Sequence, residues 1–364
     1  MSRSILVATA VAVGLLAGRA EAKVIVAPLT PHHPPAGIAY PATEKTVTVT
    51  ITDQRADKSF IASGLLGPSA DKDKGTYLAY ATQKDADLAA FMEAASREAA
   101  VVLGLKAGNG MRLAIFIKEF HVDMYRFSGF SAMNCMGYGV LGVTLTDANG
   151  TETKKPDVRV AFFDYAFPKT SMKQVVEKGV SRIYTLAAWQ ATAQTLVEAY
   201  ALAPGPAMLS ELSSRIETEK DEDQAREVVF WLGLSGRGSE AVKASLLDRF
   251  AKSKKQKVYQ TAAEAMGLLA IADASGDIHD LLAGKKKIGS WDIEDVEQVW
   301  YLIHALGLLG EKDLQTRMPP GKLRMTTKLE DLIRFHEMRE SAAPTAALQK
   351  MVDKARIELV KERK

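Results

Sequence analysis

Cys135 has the clearest potential for nucleophilic chemistry, since it is the single cysteine of the 364-residue chain. A catalytic thiol needs a depressed pKa and a base within hydrogen-bond reach, and His121 is the candidate base. The sequence shows neither condition, and a lone cysteine in a strand is most often a small core residue. We therefore predict no catalytic residue. The alternatives are an enzyme site that combines His121, Asp123 and Cys135, and an intermolecular disulfide through Cys135.

The segment from Gly137 to Gly142 matches the fingerprint G-x-G-x-x-G of dinucleotide-binding proteins. That motif binds a pyrophosphate only between a strand and a helix, because the helix N-terminus faces the phosphates. Here Val143–Thr146 continues as a strand into a turn, so no helix is in position. We predict a glycine-containing strand that bends or lets a helix pack closely, and no bound cofactor.

Asp277, His279 and Asp280 bring three potential metal ligands together in the sequence. On a helix, positions i and i+3 share a face, so the two aspartates could converge while His279 would point elsewhere. A helix cap at Gly276-Asp277 is the simpler explanation. The other histidines considered as ligands have simpler explanations as loop, packing or solvated residues: His32, His33, His304 and His336. No metal site is predicted, and the sequence has no HExxH, GxSxG, Walker or paired CxxC motif.

Residues 1–22 have the pattern of an export signal. Arg3 gives a positive start, Ile5–Leu16 is an apolar run, and Ala20 and Ala22 are small residues at the cleavage positions. The run is shorter than the roughly 20 apolar residues that a membrane-spanning helix needs. We predict cleavage after Ala22, a periplasmic or secreted location, no lipid-attachment cysteine and no transmembrane span in the mature chain.

The composition is typical of packed globular domains. The formal net charge is +3 and hydrophobic residues make up 47% of the chain. So weak a charge balance argues against a nucleic-acid partner. The length allows about two domains. A single cysteine excludes an internal disulfide, so the stability of the fold must come from packing.

Alternating apolar and polar residues predict an α+β fold, with an antiparallel or mixed sheet and packed helices, for the first half of the chain. Thr46–Thr52 alternates valine or isoleucine with threonine, which is typical of a half-buried strand. Arg112–Lys118 is apolar on both faces and predicts a central strand. Phe60-Ile61 predicts another strand. Asp85 is expected to cap a helix that ends near Leu103.

A long hairpin is predicted between Phe130 and Ala166. Its turn lies at Asp147–Gly150, where Asn149 and Gly150 accept the backbone angles of a tight hairpin. A single hairpin is marginally stable in water, so other strands and a helix must pack around it. The segment from Ser171 to Ala203 then predicts one long helix or two, with Gly179 as the weak point.

Beyond Pro204-Gly205-Pro206 the strand patterns stop, and three similar apolar segments recur around Gly233, Gly267 and Gly307. Their spacing is typical of stacked helix pairs, in which a glycine lets neighbouring helices approach. We therefore predict a signal peptide over 1–22, an α+β domain over 23–205, a HEAT-like helical-repeat domain over 206–325 and helices that cap the array over 326–364. The lysines of one inter-helix turn are candidate partner-binding residues, and we call this segment the basic turn (Lys285, Lys286 and Lys287).

Three features of the first half resemble the YajG-type family of bacterial envelope lipoproteins. They are the strand that ends in Asp53-Gln54-Arg55, the helix that follows it and the hairpin that begins at Phe130. That family has a small α+β domain with an Asp-x-Arg at the end of its first long strand. The resemblance implies an envelope location, structural roles for Asp53 and Arg55, and no enzymatic activity. The chain departs from the family in lacking the lipid-bearing cysteine.

The second half is similar to HEAT-type repeats at the three glycines, which implies structural roles for those glycines and protein–protein contact. Together, the sequence predicts a non-catalytic exported cell-envelope protein, an assembly module with a protein partner and no cofactor. Two alternatives come from other functional classes. The first is an envelope hydrolase or other enzyme near His121 and Cys135, which alanine substitutions at both positions would test. The second is a small-molecule binder that uses Phe127, Phe130 and Tyr138.

Overall fold

The computed structural model describes residues 22–56, 58, 61–66, 77–83, 87–126, 132–168, 172–235 and 240–252, with shorter pieces at 262, 265–267, 275–276, 278 and 280. Within these residues a mixed β-sheet in the N-terminal part is followed by helices. The α+β and then helical order predicted from the sequence is therefore confirmed. No helix in the described ranges is long and apolar enough to cross a membrane.

The strands are β1 (Ala22–Ala27), β2 (Thr46–Asp53), β3 (Ala62–Leu66), β4 (Tyr77–Gln83), β5 (Lys106–Ala107), β6 (Met111–Arg126), β7 (Ala132–Thr146) and β8 (Glu152–Pro168). The helices are α1 (Leu88–Val102), α2 (Met172–Val175), α3 (Ser181–Tyr200), α4 (Pro206–Thr218), α5 (Glu222–Ser235) and α6 (Glu240–Lys252), with a π-helical turn at Val176–Val180 between α2 and α3. The sequence patterns had not predicted β1, β4 or β5 as strands.

Strand β6 organises the sheet. One edge of β6 pairs antiparallel with β7, and β8 pairs with the far side of β7. The other edge is shared, because β2 pairs parallel with Met111–Ile117 and β3 pairs with β6 at Asp123. Beyond β2 lies β5, and beyond β3 lie β4 and β1. The sheet therefore forks along β6 at the point where β2 ends.

The predicted hairpin is confirmed as β7 and β8. The side chain of Asp147 organises the turn, since its Oδ1 accepts hydrogen bonds from the backbone N–H groups of Asn149 at 2.9 Å and Thr151 at 2.8 Å. Gly150 adopts a φ of 84°, which is the left-handed conformation that glycine accepts without strain.

Strand β2 is half-buried, as its alternation predicted. Val47, Val49 and Ile51 are buried, whereas Thr50 and Thr52 are exposed. The buried side faces α1, which lies against the sheet. Helix α1 is capped by Asp87, whose Oδ1 accepts from the N–H of Ala89 at 2.9 Å.

The predicted cap at Asp85 is therefore wrong by two positions. Leu88 and Ala89 are both buried, so the helix begins where the chain meets the core rather than at the first aspartate. Asp87 stands directly before these residues and is the aspartate within reach of the second helical N–H group.

The Pro-rich segment that follows β1 is a strap, which we define as residues 28–45. Its backbone donates from Tyr40 to the Val102 carbonyl at 2.7 Å and from Thr43 to the Gly104 carbonyl at 2.9 Å. The N–H group of Thr30 donates to Ser181 Oγ at 3.0 Å. The strap therefore links α1 to α3 through hydrogen bonds that its main-chain N–H groups donate.

Replacing Gly104 with alanine should lower the free energy of unfolding by about 2 kcal/mol. Gly104 has a φ of +72°, and a Cβ atom there would lie 2.2 Å from the Pro41 carbonyl oxygen. Gly150→Ala is the matched control, because its φ is also positive but nothing lies within 4 Å of its Cβ position. We expect Gly150→Ala to lower the free energy of unfolding, measured by urea denaturation, by about half as much as Gly104→Ala does. If both variants lost the same free energy of unfolding, the strap would be able to move away from residue 104 at Pro41 without an energetic cost.

The long helix predicted from Ser171 is continuous across α2 and α3, with Gly179 inside the π-helical turn. Helix α3 is buried on every side from Ser181 to Ala193, although it carries several polar residues. Two of its threonines are satisfied within the helix, since Thr185 donates to the Ser181 carbonyl at 3.0 Å and Thr195 to the Ala191 carbonyl at 2.7 Å. Helix α3 is thus the central element between the sheet, α1 and α5.

The helical structure is interrupted before Pro206, as the residues Pro204–Pro206 predicted. Ala201 ends α3 in the left-handed conformation, and Pro206 is the first residue of α4. The packing is continuous across this break, because the buried residues of the sheet, α3 and α5 belong to one hydrophobic cluster. The predicted domain limits at residues 205, 325 and 364 stay predictions.

Candidate functional site

Among the described residues, the most deeply buried ion pair joins Arg182 of α3 to Glu227 of α5, and Asp223 extends it to a cluster. Arg182 is 4% exposed, and its guanidinium contacts Glu227 Oε1 at 2.8 Å and Asp223 Oδ1 at 3.1 Å. It also donates to the Asp223 carbonyl at 2.9 Å. Burial raises the pKa of Glu227, while Arg182 and then Arg226 lower it in part. The cluster ties the helical part of the chain to the helix that lies on the sheet.

Aromatic side chains continue this contact. The rings of Trp189 and Trp231 lie with centroids 5.6 Å apart, and both residues are fully buried. Phe230 packs edge-on against Phe162 of β8 at 5.9 Å, so α5 also reaches the sheet. Aromatic pairs in such geometries add to the stabilisation that burial alone provides.

Asp53 and Arg55 form a second buried ion pair at the fork of the sheet. The Arg55 guanidinium donates to Asp53 Oδ2 at 2.8 Å, and the Arg55 N–H donates to Asp53 Oδ1 at 3.0 Å. Both side chains are 7% exposed. Nearby, Tyr184 donates to the Ile61 carbonyl at 2.6 Å, and burial raises its pKa so that the phenol stays neutral. The pair lies where the chain leaves β2.

Cys135 is fully buried in β7. Its backbone lies opposite Met124, three residues beyond His121 on β6. Directly opposed residues share a face of a sheet and successive residues alternate, so the positions of His121 and Cys135 belong to opposite faces. This register argues against His121 as a base for the Cys135 thiol. Burial also removes the thiol from any substrate in solvent.

The G-x-G-x-x-G segment lies within β7, and β8 follows it after the turn. A Cβ atom at Gly137 would lie 2.2 Å from Ile183 Cγ2 of α3. The glycine therefore lets the central helix pack directly on the strand, as predicted. A register shift between Leu141 and Val143 adds the predicted irregularity.

Gly233 makes a close contact with the segment that carries Gly267. A Cβ atom at Gly233 would lie 2.6 Å from Ala265 Cβ and 3.0 Å from Ala265 Cα. Residues 265–267 are helical, so two helices meet at this glycine. A glycine at such a point lets two helix backbones approach more closely than larger side chains permit.

Several predicted residues lie outside what the structure describes: the basic turn, Gly307, Asp277, His279, His304, His336, Asp85, Phe127 and Phe130, the last two residues belonging to the segment between β6 and β7. The side chains of His121, Asp123 and Tyr138 are likewise not described. Within the described residues, no three His, Cys, Asp or Glu side chains form a group that could hold a metal ion. His33 Nδ1 contacts Glu98 Oε1 at 2.8 Å on the surface.

Neither Arg182 nor Glu227 was predicted from the sequence. Both stand in helical windows whose other residues are largely apolar or small, and Trp189 and Trp231 lie one or two turns further along the same helices. A charged residue on the apolar face of a helix is a signal for a buried ion pair, because an unpaired charge there is too costly. The partner could not be identified, since the two residues are far apart in the chain.

No protein-family profile matches the sequence, and no curated protein matches it. Among solved structures, the chain is similar to a Xanthomonas campestris protein described as DUF330, with 13% identity over 48% of this chain and 92% of that chain and a TM-score of 0.28. A second structure, of an uncharacterized protein, shows 10% identity over 49% of this chain and 99% of that chain, with a TM-score of 0.26. Similarities this low carry no argument about fold or function. The resemblance to YajG-type proteins at Asp53 and Arg55 stays a prediction.

Proposed function

We propose that the chain is an exported, non-catalytic cell-envelope protein that binds a protein partner through a HEAT-like helical array. The single observation that carries this proposal is a repeated contact. Ser245 Oγ of α6 donates to Ser213 Oγ of α4 at 3.2 Å, across a separation of 32 residues. Gly233 of α5 contacts Ala265 across the same separation in sequence.

These two contacts support the proposed array because, in a helical repeat, each element would meet its counterpart one repeat later. Helix α4 lies against α6, and α5 lies against the helical segment at 265–267. In stacked helical arrays each repeat contacts only its neighbours, and one row of helices forms a continuous surface that binds partners. The basic turn follows the 265–267 segment in the sequence. We assign it to the part of the surface that binds the partner.

The export signal predicted over 1–22 supports an envelope location for this array. Cleavage after Ala22 would leave Lys23–Ala27 of β1 as the first strand of the mature protein. This strand pairs in parallel with β4 at the edge of the sheet. The mature N-terminus would therefore begin inside the fold.

Reversing the charge of Lys285, Lys286 and Lys287 with glutamate should weaken partner binding by about tenfold at low salt and by less at high salt. The partner would first be captured on the mature chain from a periplasmic extract, identified by mass spectrometry and then titrated at two salt concentrations. The melting temperature of the variant should equal that of the original protein, since solvated turn residues contribute little to stability.

The matched control reverses three exposed lysines in the described part of the chain, Lys154, Lys178 and Lys220. It changes the net charge equally but should leave the affinity unchanged. Equal weakening by both triple variants would mean a general charge effect. Unchanged affinity of the Lys285–Lys287 variant, with unchanged melting, would remove the basic turn from the interface.

A further inference from the structure

The turn between β7 and β8 carries the sequence Asn149-Gly150-Thr151, which has the form Asn-x-Ser/Thr of an acceptor for N-linked glycans. The chain has three asparagines, and Asn149 is the one that is followed two positions later by a hydroxyl residue. The other two, Asn109 and Asn134, have methionine at that position. Such a motif can be used only where its asparagine lies on the surface of an exported protein, so its place in the fold is decisive.

The structure places the whole motif at the surface. Residues 147–154 are all exposed, whereas Val143 and Leu145 just before the turn are buried. Among the described residues, nothing lies within 4 Å of the position that a Cβ atom would take at Gly150. The space around the turn is therefore open, and a bulky group on Asn149 would extend into solvent at the end of the hairpin.

The turn is held together without the side chains of the motif. Asp147 Oδ1 accepts hydrogen bonds from the N–H groups of Asn149 and Thr151, and the Asp147 carbonyl accepts from the Gly150 N–H at 3.0 Å. Neither the Asn149 side-chain amide nor the Thr151 hydroxyl makes a hydrogen bond within the described part of the chain. The two groups that define the acceptor are thus presented together and unengaged, on a turn whose shape Asp147 fixes.

We propose that Asn149 is a site of N-linked glycosylation, with an oligosaccharide linked through its C1 carbon to a polyprenyl diphosphate as the donor. A bond forms between Asn149 Nδ2 and C1, and the amide nitrogen gives up one proton. The bond between C1 and the diphosphate oxygen breaks, and the diphosphate leaves with the electron pair. This inference rests on the export proposed above, because glycans of this kind are added to secreted chains.

The test is the mass of the peptide that contains Asn149, in protein isolated from the cells that produce it naturally. We expect the chain that begins at Lys23 to carry added sugar mass on this peptide. Asn149→Gln and Thr151→Val should each abolish the added mass, whereas Thr151→Ser keeps the hydroxyl and should retain it. Asn109 is the internal control, since it is also exposed and also precedes a glycine but lacks the hydroxyl residue.

These substitutions should leave the melting temperature of the unglycosylated chain unchanged, because Asn149 has a negative φ that glutamine accepts and neither side chain is hydrogen-bonded. A chain that begins at Lys23 with an unmodified Asn149 would overturn this proposal alone. A chain that retains Met1 would overturn the proposed export and this inference with it. Sugar mass that survives Thr151→Val would also contradict the proposal, since the modification would then not depend on the motif.

Discussion

Replacing Arg182 with methionine should lower the free energy of unfolding by about 3–5 kcal/mol, because one partner of a buried ion pair would remain without its counter-charge. Arg182 and Glu227 have side chains that are only 5% and 4% exposed. Urea denaturation followed by circular dichroism measures the loss. Lys173→Met is the matched control, since Lys173 is 61% exposed and its contact with Glu177 is 3.6 Å long. We expect that control to change stability by less than about 0.5 kcal/mol.

The Arg182 variant should also acquire a distinctive dependence on pH. Burial already raises the pKa of Glu227 above its usual 4.5, and removal of Arg182 removes the largest influence that lowers it. A carboxyl whose folded-state pKa is raised takes up a proton on folding, so stability falls as the pH rises through that pKa. The variant should therefore lose less stability at about pH 5 than at about pH 8.

A second substitution tests whether the effect belongs to the pair. Adding Glu227→Met to Arg182→Met removes the unpaired carboxylate and should recover most of the loss, because apolar replacements of buried ion pairs are often neutral or stabilising. Asp223 is 48% exposed and remains solvated in both variants. If the double variant were as unstable as the single variant, the loss would come from packing rather than from charge.

Replacing Gly233 with leucine should destabilise the protein by about 3 kcal/mol, since even a Cβ atom would lie 2.6 Å from Ala265 Cβ. The neighbouring backbone of Ala265 must then move, as its Cα would be 3.0 Å away. The change in melting temperature and the urea midpoint measure the loss. Cleavage by a protease after residue 252 should become faster, because the contact that holds the 265–267 segment on α5 is weakened.

Gly276→Leu is the matched control for this prediction. Gly276 is also helical, but nothing lies within 4 Å of its Cβ position. Leucine favours helix more than glycine, so this variant should be neutral or more stable by up to about 1 kcal/mol. Equal losses at the two glycines would contradict the close contact between α5 and Ala265.

Local patterns were enough to predict the elements whose geometry depends on neighbours in the chain. The turn at Asp147–Gly150 follows from residues that accept its backbone angles, and the face of β2 follows from strict alternation. The interruption of the helices before Pro206 also depends only on residues that are close to it in the chain. Gly137 was predicted to let a helix approach, because the strand pattern on both sides left no place for a nucleotide-binding helix.

The cap of α1 and the polar residues of α3 were decided by burial. Asp87 caps the helix because Leu88 and Ala89 are the first residues that enter the core, which no pattern of aspartates could indicate. Arg182, Thr192 and Thr195 stand on a helix that is buried on every side. The periodicity of the sequence would assign such polar residues to a solvated face. Periodicity depends on residue types alone and carries no information about which elements pack against the helix.

By itself, the sequence determined that an α+β part is followed by helices, and it determined the hairpin, the interruption of the helices before Pro206 and the absence of an internal disulfide. The tertiary structure alone decided which edges pair, so that β2 and β3 share one side of β6. It also decided that Arg182 meets Glu227 and that Trp189 meets Trp231. The physical reason is that turn angles and alternation act over a few residues, whereas ion pairing and ring packing join residues that only the folded chain brings together.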